Sequence, residues 1–227
     1  MRRLAAAALV VLCGTFLVQA HDMALAVTWN REISRIVYDR CAACHRPAGS
    51  AFSLMTYAES QRNAVAIKDA VLSRRMPPWG AVKGFGSFRN DQALNQEQIE
   101  LIVSWVETGS RRGNNPLTLP KEPTFEASAA EAVPPRAISI SGEFVLAAPV
   151  MLDGILPERV PAQASMQIVA RRPDGSVEPL VWLHNYLQAV PHPFLFRQPL
   201  SLPAGTVIAG VRPPAAILLL PVEPASH

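Results

Sequence analysis

The chain has 227 residues, of which 49% are hydrophobic and 17% charged, which is typical of a globular protein and leaves room for one large domain or two small ones. The formal net charge is only +3, and Arg2 and Arg3 at the N-terminus supply two of the positive charges. The sequence lacks the clustered basic face of nucleic-acid-binding proteins, which excludes a nucleic-acid partner.

The N-terminus has the pattern of an export signal. Its two arginines precede the almost uninterrupted apolar stretch Leu4–Val18, and small residues follow. A membrane-spanning helix needs about 20 apolar residues, and this stretch is shorter. Cleavage after Ala26 fits the small-x-small pattern best, and cleavage before His21 is the alternative. We expect residues 1–26 to be removed and the mature protein to be periplasmic, whereas an uncleaved signal would keep it at the membrane.

A pair of cysteines with an adjacent histidine is the most specific motif of the chain. Since Cys13 lies in the export signal, the mature chain keeps Cys41 and Cys44, and His45 follows directly. A Cys-x-x-Cys pair alone is compatible with a redox dithiol, half of a zinc site or a haem attachment site. A structural zinc site needs two further ligands at short spacing. A thioredoxin-like dithiol needs a preceding strand in a βαβ unit.

The residues around this motif decide between the three interpretations. Apolar residues before Cys41 recur at helical spacing, and no third cysteine follows in the mature chain. The adjacent histidine and the export signal therefore favour one covalent haem c. Cys41 and Cys44 would form the thioether bonds, and His45 would be the proximal iron ligand.

An electron-transfer haem commonly has a methionine as its second axial ligand. The candidates are Met55, Met76, Met151 and Met166. Met76 is favoured because Pro77 and Pro78 fix the backbone after it, and Trp79 offers an apolar wall for the porphyrin edge. Met55 is interpreted as a core or loop residue.

Helical periodicity occurs on both sides of the motif. The spacing of apolar residues predicts a helix that includes Trp29–Val37, a second over Glu59–Arg74, and a third that begins near Asn95 and stops at Gly109. Helices of this kind can enclose one haem. We therefore expect residues 27–113 to form an all-α domain of cytochrome c type.

The second half of the chain has the pattern of an antiparallel sheet. Residues 114–136 are rich in Pro, Ala and Glu and are interpreted as a linker. Over residues 137–222, short apolar runs alternate with turns that contain Pro and Gly, which predicts a small antiparallel β-sandwich. Asp153 and Glu158 are interpreted as surface loop residues. The expected fold class is therefore α + β in two domains.

Three stretches of the first half resemble a known family. Cys41–Pro47, Arg74–Trp79 and Leu94–Gly113 are similar to single-haem cytochrome c domains of exported bacterial proteins that have a Met-Pro-Pro-Trp ligand loop. The resemblance implies thioether attachment at both cysteines and iron ligation by His45 and Met76.

The second half of the chain also resembles a known family, but the resemblance is weaker than that of the first half. Pro173–Ser176, Leu180–Trp182 and Leu200–Thr206 are similar to the C-terminal β-sandwich of copper type II, ascorbate-dependent monooxygenases, to which such haem domains are often fused. These stretches are mostly turns, so they imply a fold rather than a chemistry.

Copper chemistry would need several imidazole ligands around an open metal. His45 is assigned to haem, His21 depends on the less favoured cleavage site, and His227 ends the chain. His184 and His192 therefore remain as candidate copper ligands. The simpler interpretation is one buried, hydrogen-bonded histidine and one loop histidine, because the chain contains no His-x-His pair.

The sequence thus predicts a periplasmic c-type cytochrome that transfers single electrons between redox partner proteins and needs no catalytic acid or base. Two other classes stay open. The first is an enzyme, either a copper-dependent monooxygenase that its own haem supplies with electrons or a haem enzyme with an open sixth position. The second is a haem-based sensor or binding module.

Overall fold

The computed structural model describes residues 26–125 and 135–222. The chain divides into two compact units. The motif unit comprises the chain up to Asp69 and Gln96–Pro123, and the sheet unit comprises Ala70–Asn95 and the chain from Thr124 onward. The expected export signal lies almost wholly outside the described residues, as does the middle of the expected linker.

The helical elements are short. In chain order they are a π-helical turn Trp29–Ile33, α1 (Ser34–Arg40), α2 (Tyr57–Arg62), α3 (Ala64–Leu72), α4 (Gln96–Glu107) and a 3-10 turn Pro116–Thr118. The longest of them, α4, has 12 residues and buries Ile99, Ile102 and Trp105 on one face. None of the helices in the described ranges is long and apolar enough to cross a membrane.

A capping box fixes the start of α2. The Thr56 hydroxyl accepts a hydrogen bond from the Glu59 N–H at 3.3 Å, and the Glu59 carboxylate accepts one from the Thr56 N–H at 2.8 Å. The Ser53 hydroxyl donates to the same carboxylate at 3.0 Å. Desolvation acts to raise the pKa of Glu59, but these hydrogen bonds outweigh it and lower the pKa.

Aromatic packing forms the core of the motif unit. The ring centroid of Trp29 lies 6.2 Å from that of Tyr38, 6.5 Å from that of Tyr57 and 6.3 Å from that of Trp105. The Trp29 N–H and the Trp105 indole N–H both donate to the Arg111 carbonyl, at 2.9 and 3.0 Å. The beginning of the described chain is thereby attached to the segment after α4.

Among its described residues, the sheet unit contains eight strands, all of which pair antiparallel. They are β1 (Ile138–Ile140), β2 (Phe144–Val145), β3 (Val150–Arg159), β4 (Ser165–Arg171), β5 (Val177–His184), β6 (Phe194–Leu202), β7 (Val207–Ala209) and β8 (Ala216–Pro221). They form two four-stranded sheets, in the orders β1-β8-β3-β6 and β2-β7-β4-β5. β5 and β6 are each the last strand of their sheet, and they follow one another in the chain.

One apolar core joins residues of both sheets. Leu152, Ile155 and Phe194 from one sheet and Ile168 and Leu180 from the other are fully buried in it. Burial of each such side chain contributes about 1.5–3 kcal/mol relative to exposure. The same core also includes side chains from residues 70–95, a stretch that lies within the predicted haem domain.

The predicted fold class, α + β with an all-α domain over residues 27–113, is wrong. Within the described ranges the protein is mostly β, with two antiparallel sheets and only short α-helices. The expected helix Glu59–Arg74 is divided at Asn63, which ends α2. After α3, the residues Pro77 and Pro78 and several glycines disfavour a further helical turn. Proline has no backbone N–H to donate, and glycine loses the most backbone entropy when it becomes helical.

Candidate functional site

The Cys-x-x-Cys-His motif forms a single turn directly after α1. The Cys41 N–H donates to the Val37 carbonyl at 2.9 Å and so continues the helix by one residue. The Cys44 and His45 N–H groups then both donate to the Cys41 carbonyl, at 3.1 and 2.8 Å. Both cysteines are free thiols of intermediate exposure. One turn of backbone therefore carries both cysteines and the histidine of the motif.

The imidazole of His45 is oriented by the chain that follows it. Its Nδ1 lies 2.9 Å from the Phe52 carbonyl oxygen, which fixes the tautomer with the proton on Nδ1. The edge of the Phe52 ring lies against the imidazole, with the centroids 4.8 Å apart and the planes at 72°. The hydrogen bond at Nδ1 leaves Nε2 with its lone pair, which is what an axial iron ligand needs.

A tight return of the chain makes this contact possible. The Ala51 N–H donates to the Cys44 carbonyl at 3.2 Å, and the Leu54 N–H donates to the His45 carbonyl at 3.1 Å. A Cβ atom at Gly49 would lie 2.2 Å from the Cys44 carbonyl oxygen, so only glycine allows this approach. The roles of Gly49 and Phe52 were not predicted from the sequence, because a single glycine and a loop phenylalanine have no distinctive pattern.

The electrostatics of the turn argue against a redox dithiol. Burial, with smaller contributions from Asp39 and Cys44, raises the pKa of the Cys41 thiol to about 12. Reactive cysteines in redox motifs have a lowered pKa instead, because the thiolate is the nucleophile. The thiol of Cys41 is therefore held in its neutral form.

The donor set does not support a zinc site either. Residues 26–125 and 135–222 contain no group of three or more His, Cys, Asp or Glu side chains that could hold a metal ion. A structural zinc site needs four such ligands, whereas a haem c needs two thiols on one turn and one imidazole with a free Nε2. The exposed fraction of Phe52, 60%, also leaves apolar surface beside the imidazole for a porphyrin to cover. The residues present fit haem c.

Met76 belongs to the sheet unit. Its side chain is 40% exposed, whereas Met55 and Met166 are only 7% and 3% exposed. Met151, on β3, is also exposed, at 48%. Met55 and Met166 are therefore core residues, whereas Met76 is not buried in a core.

Trp79 lies in the core of the sheet unit. It is 5% exposed, and its ring centroid lies 5.9 Å from that of Phe88 and 4.8 Å from that of Phe194. The ring of His192 stacks on it at 5.1 Å with 19° between the planes. This packing gives no support to the predicted role of Trp79 as a haem wall.

The two candidate copper ligands are engaged differently. Each ring nitrogen of His192 lies 2.9 Å from a backbone carbonyl oxygen, Nδ1 from that of Val190 and Nε2 from that of Trp79. His184 is exposed at the end of β5, and its Nε2 lies 3.3 Å from the Asn185 amide nitrogen. The contacts of His192 give it a role in holding Trp79, and nothing in the geometry favours copper.

Comparisons with known proteins add no relatives. No family model matches the chain, and no curated protein and no solved structure matches it. The family resemblance of the motifs is therefore a prediction that rests on the residues themselves.

Proposed function

We propose that this protein is an exported, periplasmic c-type cytochrome that carries one haem c and transfers single electrons between redox partner proteins. The haem would be attached to Cys41 and Cys44, with His45 and Met76 as the axial ligands of the iron. The observation that carries the proposal is the hydrogen bond between His45 Nδ1 and the Phe52 carbonyl, because it leaves Nε2 as an iron ligand on the same turn as two free thiols.

The side chains of the motif have distinct tasks in this function. A bound haem c supplies a one-electron couple between ferric and ferrous iron. The Phe52 carbonyl orients the imidazole of His45 and increases its basicity by accepting a hydrogen bond from Nδ1–H. The thioether of Met76, as a weakly donating ligand, would raise the reduction potential of such a haem. No side chain has to transfer a proton, so the proposal needs no catalytic acid or base.

The first experiment tests covalent attachment. The full chain is produced with its N-terminal segment in a host that attaches haem c, and the product is analysed by mass spectrometry and by haem staining after denaturation. We expect one covalent haem in the wild type and none when both Cys41→Ala and Cys44→Ala are introduced. Ala43→Ser, an exposed position within the same turn, is the matched control and should keep the haem. A wild-type protein without covalent haem would refute the proposal.

The second experiment tests the distal ligand. In the Met76→Ala variant we expect the haem to remain attached, the far-red band of Met-bound ferric haem to disappear, and ferrous haem to bind carbon monoxide. The reduction potential should fall by about 100 mV or more, part of the roughly 0.8 V over which axial ligands act. Met151→Ala removes a comparably exposed methionine and should change none of these properties. Carbon monoxide binding by the wild type, or stoichiometric copper, would instead favour an enzyme or a sensor.

A further inference from the structure

The chain that follows Met76 completes the open sides of both sheets. We call Trp79–Asn90 the edge segment. At its beginning, the His184 N–H donates to the Gly80 carbonyl at 3.0 Å, and the Val82 N–H donates to the Trp182 carbonyl at 2.9 Å, which attaches it to β5. Further on, the segment is attached to β6 by the bonds Arg89 N–H to Leu195 carbonyl and Arg197 N–H to Ser87 carbonyl, both 2.9 Å. Since β5 and β6 are edge strands of different sheets, the segment joins the two.

Side chains reinforce these backbone contacts. The indole of Trp79 and the ring of Phe88 are 5% and 6% exposed in the core between the sheets. Arg89 forms two hydrogen bonds with the Asp153 carboxylate on β3, at 2.9 and 2.7 Å, and a third with the Phe196 carbonyl at 2.8 Å. A paired guanidinium and carboxylate fix orientation as well as distance. The edge segment is therefore held at both of its ends.

Two glycines allow the segment to approach the sheets so closely. A Cβ at Gly80 would lie 2.7 Å from the Tyr186 Cα, and a Cβ at Gly86 would lie 2.4 Å from the Leu180 carbonyl oxygen. Both have positive φ angles, +65° and +80°. Gly84 has a similar φ of +86°, but a Cβ there would meet nothing within 4 Å. Close packing against the sheets, rather than turn geometry alone, thus requires glycine at positions 80 and 86.

Met76 lies on a short connection that is attached on both sides. Its N–H donates to the Ala70 carbonyl at 3.2 Å, at the end of α3. After it, Pro77 and Pro78 restrict the backbone, and the Trp79 N–H donates to the Pro77 carbonyl at 2.8 Å. The Trp79 carbonyl in turn faces His192 Nε2 at 2.9 Å. The position of Met76 is therefore coupled to the sheets through Trp79.

We infer that the two-sheet unit serves as the scaffold of the distal ligand: it holds the Met76 loop through the edge segment, with His192 and Gly80 as positioning residues. This inference rests on the proposed function for the ligand role of Met76. It gives the sheets a task in electron transfer that requires no metal of their own. Weaker anchoring of the segment would lower the fraction of haem that has Met76 bound.

The test uses the full chain with its haem and a matched pair of variants. Gly80→Ala introduces the clash with Tyr186, whereas Gly84→Ala introduces the same side chain at the same sign of φ in open space. Hydrogen exchange of the Val82 and Arg89 amides reports the anchoring, and the far-red band of ferric haem reports Met76 ligation. We expect Gly80→Ala to accelerate exchange by a factor of about five or more and to weaken the band, since each lost hydrogen bond contributes about 1 kcal/mol. Gly84→Ala should preserve both.

His192→Phe provides a second variant if Gly80→Ala does not accumulate. It keeps an aromatic ring beside Trp79 but removes both ring nitrogens that face carbonyl oxygens, and His192→Gln, whose amide N–H can donate to such an oxygen, should restore part of the band. Variants that lose exchange protection but keep the full band would overturn the inference.

The two proposals fail in different ways. Unprotected Val82 and Arg89 amides in a wild type with an intact band would refute the scaffold alone. Protected amides in a wild type without the band would refute Met76 as the ligand, and with it the scaffold role. Protected amides and a band that Gly80→Ala and His192→Phe both weaken would support both.

Discussion

The Cys41–His45 turn and the Met76 loop present their proposed iron ligands by different physical means. The turn is fixed by hydrogen bonds between residues close in the chain, such as those from Cys44 and His45 to the Cys41 carbonyl. The Met76 loop is fixed by partners far away in sequence, since the segment that follows it pairs with β5 and β6. A short motif therefore describes the turn almost completely and the loop hardly at all.

This difference has a consequence for how each region responds to mutation. Changes within the turn act locally, on attachment and on the orientation of one imidazole. Changes around the loop act through the core of the sheet unit, because Trp79 and Phe88 belong to it.

Trp79→Ala should destabilise the sheet unit by about 3–5 kcal/mol, because it removes a large buried side chain and leaves a cavity. Phe52→Ala, which truncates a ring that is 60% exposed beside the motif, is the control and should change the unfolding free energy by less than about 0.5 kcal/mol. Denaturant unfolding followed by circular dichroism measures both. A loss of stability below about 1 kcal/mol for Trp79→Ala would show that this indole is not a core residue and would favour its predicted role as a haem wall.

The thiol of Cys41 should react slowly in the haem-free chain. With its pKa raised to about 12, its thiolate fraction at pH 8 lies far below that of an unfolded cysteine, whose pKa is about 8.5. We expect alkylation at pH 8 to be at least about 100-fold slower at Cys41 than in the denatured chain, measured by mass spectrometry of the labelled peptides. Equal rates in the folded and denatured chains would contradict the raised pKa of this thiol.

The same shift has a defined sign for stability. The folded state keeps the Cys41 proton between about pH 8.5 and 12, whereas the unfolded state loses it, so the unfolding free energy of the haem-free chain should fall as pH rises through this range. Replacing Cys41 by alanine should remove that part of the alkaline loss.

Thr56→Ala should have the smallest effect, about 1 kcal/mol of destabilisation, because it removes the hydroxyl that caps α2. Thr56→Ser keeps the hydroxyl and should be close to the wild type. Since the pKa of Glu59 is lowered in the folded state, its contribution is present above the unfolded pKa of about 4.3 and is lost as the pH falls below it. The difference between the two variants should therefore shrink in acid, which thermal unfolding at pH 7 and pH 3 would reveal.

Sequence patterns predicted individual helices and strands better than they predicted how these elements pack together. The helical spacing before Cys41 corresponds to the π-helical turn and α1, and the spacing after Asn95 corresponds to α4. The strands that the structure shows after residue 137 lie within the range 137–222 predicted for a sheet. β3 escaped notice, because Gly154 and Pro157 interrupt its apolar pattern. Asp153 and Glu158, interpreted as loop residues, lie within that strand.

The assignment of residues 70–95 to a helical domain failed for a reason that no local pattern reveals. Pro77 and Pro78 predict a rigid loop, but not the surface on which it packs. Trp79 is equally plausible as a porphyrin wall or as a core residue, and only its ring contacts with Phe88 and Phe194 decide between them. The predicted fold class was wrong for the same reason, since these residues pack with the sheets rather than with a helical bundle.

The sequence by itself determined the turn that carries Cys41, Cys44 and His45, because such a turn depends only on residue identity and short-range backbone hydrogen bonds. It also determined the alternation of short strands and turns after residue 137. Only the tertiary structure decided that His45 Nδ1 meets the Phe52 carbonyl, and that the chain after Met76 completes the edges of two sheets. Such contacts depend on which edges and rings the folded chain leaves open, and that is a property of the assembled sheets rather than of any local segment.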